Sequence, residues 1–75
     1  MEFERLQDLI TEVLGCEKDI VTPNASITED LKADSLAVVE LVMRLEDEVD
    51  LSIPDEDMVK LKTVQDILDY MAANL

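Results

Sequence analysis

Asp34-Ser35-Leu36-Ala37-Val38-Val39-Glu40-Leu41-Val42-Met43-Arg44-Leu45-Glu46-Asp47-Glu48-Val49 is the stretch on which the fold turns. Asp34 and Ser35 can each cap the orphan N–H groups of a helix start, and no Pro or Gly interrupts the run from Leu36 to Val49. Placed at about 100° per residue, Ala37, Glu40, Arg44, Asp47 and Glu48 gather in a polar arc. Leu36, Val38, Val39, Leu41, Val42, Met43, Leu45 and Val49 fill the remainder, which exceeds half the circumference. A helix resting on a core needs a narrower stripe. This one therefore either sits centrally in a bundle or keeps part of its apolar arc for another protein.

Toward the N-terminus, Phe3, Leu6, Leu9, Ile10, Val13 and Leu14 recur at helical spacing, with Gly15 as a left-handed stop. From Cys16 to about Ala33 the period is lost. Thr22-Pro23-Asn24-Ala25-Ser26 reads as a turn, and Ile20, Val21, Ile27 and Leu31 as pins to the core, with a short helical turn near Thr28-Glu29-Asp30-Leu31. So long a connection points to a functional element near its end. Toward the C-terminus, Pro54 opens a short helix with Asp55-Glu56-Asp57 at its positive end and Met58, Val59 and Leu61 inward. Thr63 and Asp66 form a capping box for a last helix carrying Val64, Ile67, Leu68, Met71 and Leu75. The expectation is one all-α domain over residues 1–75, a small four-helix bundle of three major helices and one short one.

The chain has 75 residues, 48% of them apolar, with 19 acids against 6 bases and a net charge of −13. It is too apolar and too regularly patterned for a disordered acidic tail. A chain this short buries only about 60% of its unfolded surface, so its stability margin is thin. Nucleic acid is excluded as a partner, because so few bases offer no counterion-displacing face. There is no His, and a single Cys can form neither a metal site nor a disulfide, which argues against metal chemistry and autonomous catalysis. No apolar run approaches bilayer length and Met1-Glu2-Phe3-Glu4-Arg5 lacks signal-peptide character, so a cytoplasmic monomer without membrane contact is expected. The acidity favours protein partners with basic docking patches.

The charge is unevenly spread: residues 34–58 hold nine acids and one base, whereas residues 59–75 hold two of each. Ser35 stands at the mouth of the central helix, where a phosphate ester would meet free N–H groups and the positive dipole end. The same position suits an ordinary cap, and position by itself does not choose between them.

The surrounding string chooses. Leu31-Lys32-Ala33-Asp34-Ser35-Leu36, followed by Val39-Glu40-Leu41-Val42-Met43 and Leu45-Glu46-Asp47-Glu48-Val49, resembles the acyl carrier proteins of bacterial fatty acid synthesis. Val21-Thr22-Pro23-Asn24-Ala25-Ser26 looks like that family's loop, Ile53-Pro54-Asp55-Glu56-Asp57 like its third helix, and Thr63-Val64-Gln65-Asp66 like the start of its last. The resemblance implies that Ser35 bears 4′-phosphopantetheine, added from coenzyme A by a separate phosphopantetheinyl transferase (holo-acyl-carrier-protein synthase). The arm's thiol would carry acyl groups as thioesters between enzymes of fatty acid biosynthesis. A carrier of this kind is not an enzyme and needs no base of its own.

Carried over position by position, Asp34, Leu36, Val39, Glu40, Met43, Glu46 and Asp47 match residues that similar carriers use against basic patches on partner enzymes. Two departures stand out: Ala37 where the family commonly has an acid, and Lys32 where it often has Gly. Arg44 is a third modifier of the face. These departures keep open a dedicated carrier for a polyketide, an aminoacyl or D-alanyl group, or a specialised lipid. The rival from another class is an unmodified acidic helical interaction module with Ser35 only a cap.

The apolar set reads either as an ordinary aliphatic core or as one whose flexible side chains, Met43, Met58 and Met71 among them, part to admit an acyl chain. Val39, Val42, Leu45, Ile53, Met58, Leu61 and Ile67 are the candidate lining. Cys16 reads as a small half-buried hydrophobe, Tyr70 as packing with its hydroxyl toward solvent, and Asp55-Glu56-Asp57 as too short of ligands for a specific calcium loop.

Overall fold

The computed structural model describes residues 2–74. Four α-helices follow in order, α1 (Phe3–Leu14), α2 (Ser35–Val49), α3 (Asp55–Met58) and α4 (Val64–Asn74), with a 3-10 turn at Lys18–Ile20. No described helix is long and apolar enough to cross a membrane. Leu75, expected at the end of the last apolar stripe, lies outside the described residues.

Each boundary has a local cause. Gly15 closes α1 at φ 68°, its N–H donating to the Thr11 carbonyl, in the left-handed region where a Cβ is costly. Asp50 ends α2 in the same region at φ 52°. Thr63 and Asp66 form the reciprocal box: the Asp66 N–H donates to Thr63 Oγ1 and the Thr63 N–H to Asp66 Oδ2, both at 3.1 Å. Pro54 is the cap of α3 rather than its first residue.

α1 and α2 run antiparallel, as two side-chain pairs spanning them require. Arg5 near the start of α1 donates through Nε to Glu48 at 2.8 Å near the end of α2. Farther along α1, Glu12 accepts from Arg44 at 3.2 Å. Leu6, Leu9 and Ile10 of α1 meet Leu41, Val42 and Leu45 of α2 and Val64, Ile67 and Met71 of α4 in one buried aliphatic cluster. Phe3 and Tyr70, the two aromatics, are only half-buried against it.

The long connection is fixed in place. Val21, Ala25, Ile27, Leu31 and Ala33 are buried, and Gln7 of α1 donates through Nε2 to the Val21 carbonyl at 2.8 Å. The loop is also stitched to the segment before α4: Ile27 N–H to the Lys62 carbonyl at 2.9 Å, Val64 N–H to the Ala25 carbonyl at 3.1 Å and Gln65 N–H to the Pro23 carbonyl at 2.9 Å. The expected turn near Thr28–Leu31 closes where the Asp30 and Leu31 N–H groups both donate to the Ser26 carbonyl. Two expected inward residues are not inward. Ile20 is exposed at the end of the 3-10 turn, and Val59 is 69% exposed because α3 stops after a single turn and leaves it on the outer side.

Candidate functional site

The end of the connection delivers the chain to α2 through a left-handed residue. Lys32 has φ 58°, a conformation that glycine adopts freely and an L side chain at a cost. Ala33 is buried, with its N–H donating to the Ile27 carbonyl at 3.0 Å, so the approach to the helix is fixed. Asp34 is the cap: its Oδ1 accepts from the Ala37 N–H at 2.8 Å, and its carbonyl takes the Val38 N–H at 2.9 Å. Ser35 is thus the first helical residue, exposed, and its hydroxyl is not committed to closing the helix end.

This donor set fits a phosphodiester. The hydroxyl is accessible for esterification, the N–H groups of Ser35 and Leu36 precede the first intrahelical bond, and the positive end of a 15-residue helix dipole faces the same side.

Three of the residues expected to dock partners form a row along α2: Leu36, Val39 and Met43 are 68%, 40% and 58% exposed. Glu40 and Asp47 are exposed beside them. With Met43, Arg44, Glu12 and Val13 they line a shallow groove of about 410 Å³ between α1 and α2. Glu46 stands apart. It is half-buried and its Oε2 accepts from the Ile53 N–H at 2.8 Å, holding the α2–α3 connection. Arg44 reaches back to Glu12 of α1. Ala37, assigned to the polar arc by angle, is half-buried against the core.

An open cleft of about 450 Å³ lies between α2, α3 and the long connection, lined by Ser26, Thr28, Glu29, Val38, Met58, Val59, Leu61 and Lys62. Val38 is three residues after Ser35 and shares its side of the helix. Of the residues expected to line an acyl cavity, Met58 and Leu61 border this cleft. Val42, Leu45, Ile53 and Ile67 are buried in the core cluster to which Leu61 also belongs. Val39 is not in the cleft but on the exposed row, because one residue along a helix turns the side chain by about 100°. Val38 borders the cleft instead, and periodicity alone does not say which of the two apolar neighbours does.

Residues 4–71 match the family described as Phosphopantetheine attachment site. The chain is 53% identical over 70 residues to an acyl carrier protein of Syntrophobacter fumaroxidans, covering 93% of this chain and 86% of that one. It is 55% identical over 67 residues to an acyl carrier protein of Bdellovibrio bacteriovorus, covering 89% and 86%. A solved structure described as a putative acyl carrier protein from Mycobacterium tuberculosis superposes with a TM-score of 0.87 at 34% identity over 95% of both chains.

Proposed function

The chain belongs to the acyl carrier proteins, and from that premise we propose that Ser35 is its attachment residue and fatty acid biosynthesis its pathway. Members of this family bear covalently attached 4′-phosphopantetheine, are carriers rather than enzymes, and work with phosphopantetheinyl transferases and acyl-transfer enzymes. The observation that carries the assignment is the division of labour at the start of α2: Asp34 closes the helix end, which leaves the neighbouring Ser35 hydroxyl exposed and uncommitted. When attached, the arm supplies the thiol that holds an acyl group as a thioester.

The chain's own residues do the rest. The first N–H groups of α2 offset charge on the phosphodiester. Leu36, Val39 and Met43, with Glu40 and Asp47 beside them, form a docking face for a partner with a basic rim and an apolar centre. Charge there mainly raises the association rate, and the small apolar row lets the partner leave. The cleft beginning at Val38 shelters the acyl chain, each buried methylene gaining about 0.8 kcal/mol at most, so that release into an enzyme pocket of similar burial costs little.

A dedicated carrier for another acyl pathway is the second reading, favoured by the half-buried Ala37 and the basic Lys32 flanking Ser35. The test begins with coenzyme A, Mg²⁺ and a broad-specificity transferase. A mass increase equal to phosphopantetheine in the wild type, absent in Ser35→Ala, supports the assignment, and no modification of folded wild type by several transferases overturns it. Mass spectrometry of the thioester captured from native cells then separates the pathways.

A further inference from the structure

α3 is a four-residue turn with no buried residue of its own, too short to hold its place by helix stability. Yet Met58 at its end, and Val59 and Leu61 just after it, make one wall of the cleft that faces Val38. Something outside α3 must set where that wall stands. Leu61 anchors the far end by burial. Before α3, Ile53 is buried and its N–H is held by Glu46 of α2 at 2.8 Å; within α3 itself, beside Met58, the Tyr70 hydroxyl on α4 donates to Asp57 Oδ2 at 2.8 Å. The other oxygen of Asp57 lies 3.8 Å from Lys60 Nζ, a local exposed pair that adds little hold.

Tyr70 can transmit position because α4 is itself fixed. Val64, Ile67 and Met71 are fully or almost fully buried, the capping box closes the start of the helix, and the Tyr70 ring packs on the core cluster. The Tyr70–Asp57 bond joins this rigid helix to a turn too short to fix itself. Being half-buried, the bond exchanges with water at modest cost, which suits a contact that must open and close.

We propose that the Tyr70–Asp57 hydrogen bond is a latch on the α2–α3 cleft: closed, it holds the Met58 wall toward α2, and open, it lets the wall swing out for an aliphatic chain. The gating half rests on the reading of the cleft as the chain's shelter. The latch half does not.

The test compares wild type with Tyr70→Phe, which keeps the ring and removes the donor. In the unloaded protein, amide hydrogen exchange at Met58 to Leu61 should quicken roughly five- to tenfold, as expected for the net loss of one half-exposed hydrogen bond, while Leu9 and Ile10 of α1 stay unchanged. Asp57→Ala should copy this, and Asp57→Asn, which keeps an accepting oxygen, should restore most of the protection. Equal exchange in Tyr70→Phe and wild type, or an increase of the same size in every helix, overturns the latch whether or not Ser35 can be modified. For gating, the arm is loaded with octanoyl or acetyl thioester and cleaved with hydroxylamine. Tyr70→Phe should slow octanoyl cleavage several-fold and leave acetyl cleavage alone, because only the longer chain gains shelter. An octanoyl-to-acetyl rate ratio identical to wild type overturns gating.

Discussion

Lys32 and Asp34 stand two residues apart and contribute in opposite senses to the local energy. Lys32 holds φ 58° without being glycine, so Lys32→Gly should stabilise the fold by about 1 kcal/mol, seen as a melting temperature about 4–8 °C higher for a domain of this size. Asp34 satisfies the Ala37 N–H. Asp34→Ala should therefore lower stability by about 1 kcal/mol, whereas Asp34→Asn, an equally good cap, should leave the melting temperature nearly unchanged and slow association with basic partners. If both variants melt alike, the side-chain cap is not what closes α2. The sequence marked Asp34 and Ser35 as equivalent candidates for the cap. Only backbone geometry separates them, since the residue one step before the first helical turn is the one whose oxygen reaches back to the third N–H.

At the scale of elements, α1, α2 and α4 were legible because each carries enough turns for a period to emerge, and their caps are written in Gly15 and in the Thr63 and Asp66 pair. α3 was legible from Pro54 and the acids after it, but its inward face was not, because a single turn has no period and Val59 falls outside. The contact that fixes α3 joins residues 13 apart on different helices, and no local pattern encodes it. That contact leaves a titration signature. Donation to Asp57, with some burial and the nearby charges of Asp57 and Glu46, raises the Tyr70 hydroxyl above its ordinary value of 10.0. Between the unfolded value and the raised folded one, the native state holds more protons than the unfolded state, so the contribution is complete below about pH 10 and lost as pH rises through the folded value. Thermal melts should accordingly show wild type more stable than Tyr70→Phe at pH 7, with the gap narrowing as pH rises above about 10. No gap between the two proteins at pH 7 would mean that Tyr70 acts through packing alone, since the Phe ring keeps that packing.

Over the whole molecule, 19 acids on 75 residues fold within principal extents of 26 × 24 × 19 Å, so repulsion among them is unavoidable. Against it stand four exposed ion pairs among the described residues, each worth little. Monovalent salt raised from about 0.01 M to about 0.2 M, which shortens the screening length severalfold, should thus raise the melting temperature by several degrees; a fall would show that the pairs outweigh the repulsion. The same salt should slow docking, since stability and association draw on the acids with opposite sign. Sequence by itself determined the helical class, the order and limits of the helices, the acidic bias around α2, and Ser35 as the residue at its mouth, because these follow from periodicity, caps and composition, all short-range properties of the chain. Tertiary structure alone decided how α2 divides its wide apolar arc: Leu41, Val42 and Leu45 toward the core, Val38 toward the cleft, and Leu36, Val39 and Met43 toward solvent. It also turned Glu46 from a free acid into the acceptor that holds Ile53. The arc is wider than any one neighbour can cover, so which side is covered depends on where α1, α4 and the long connection pack, and those contacts lie far apart in sequence.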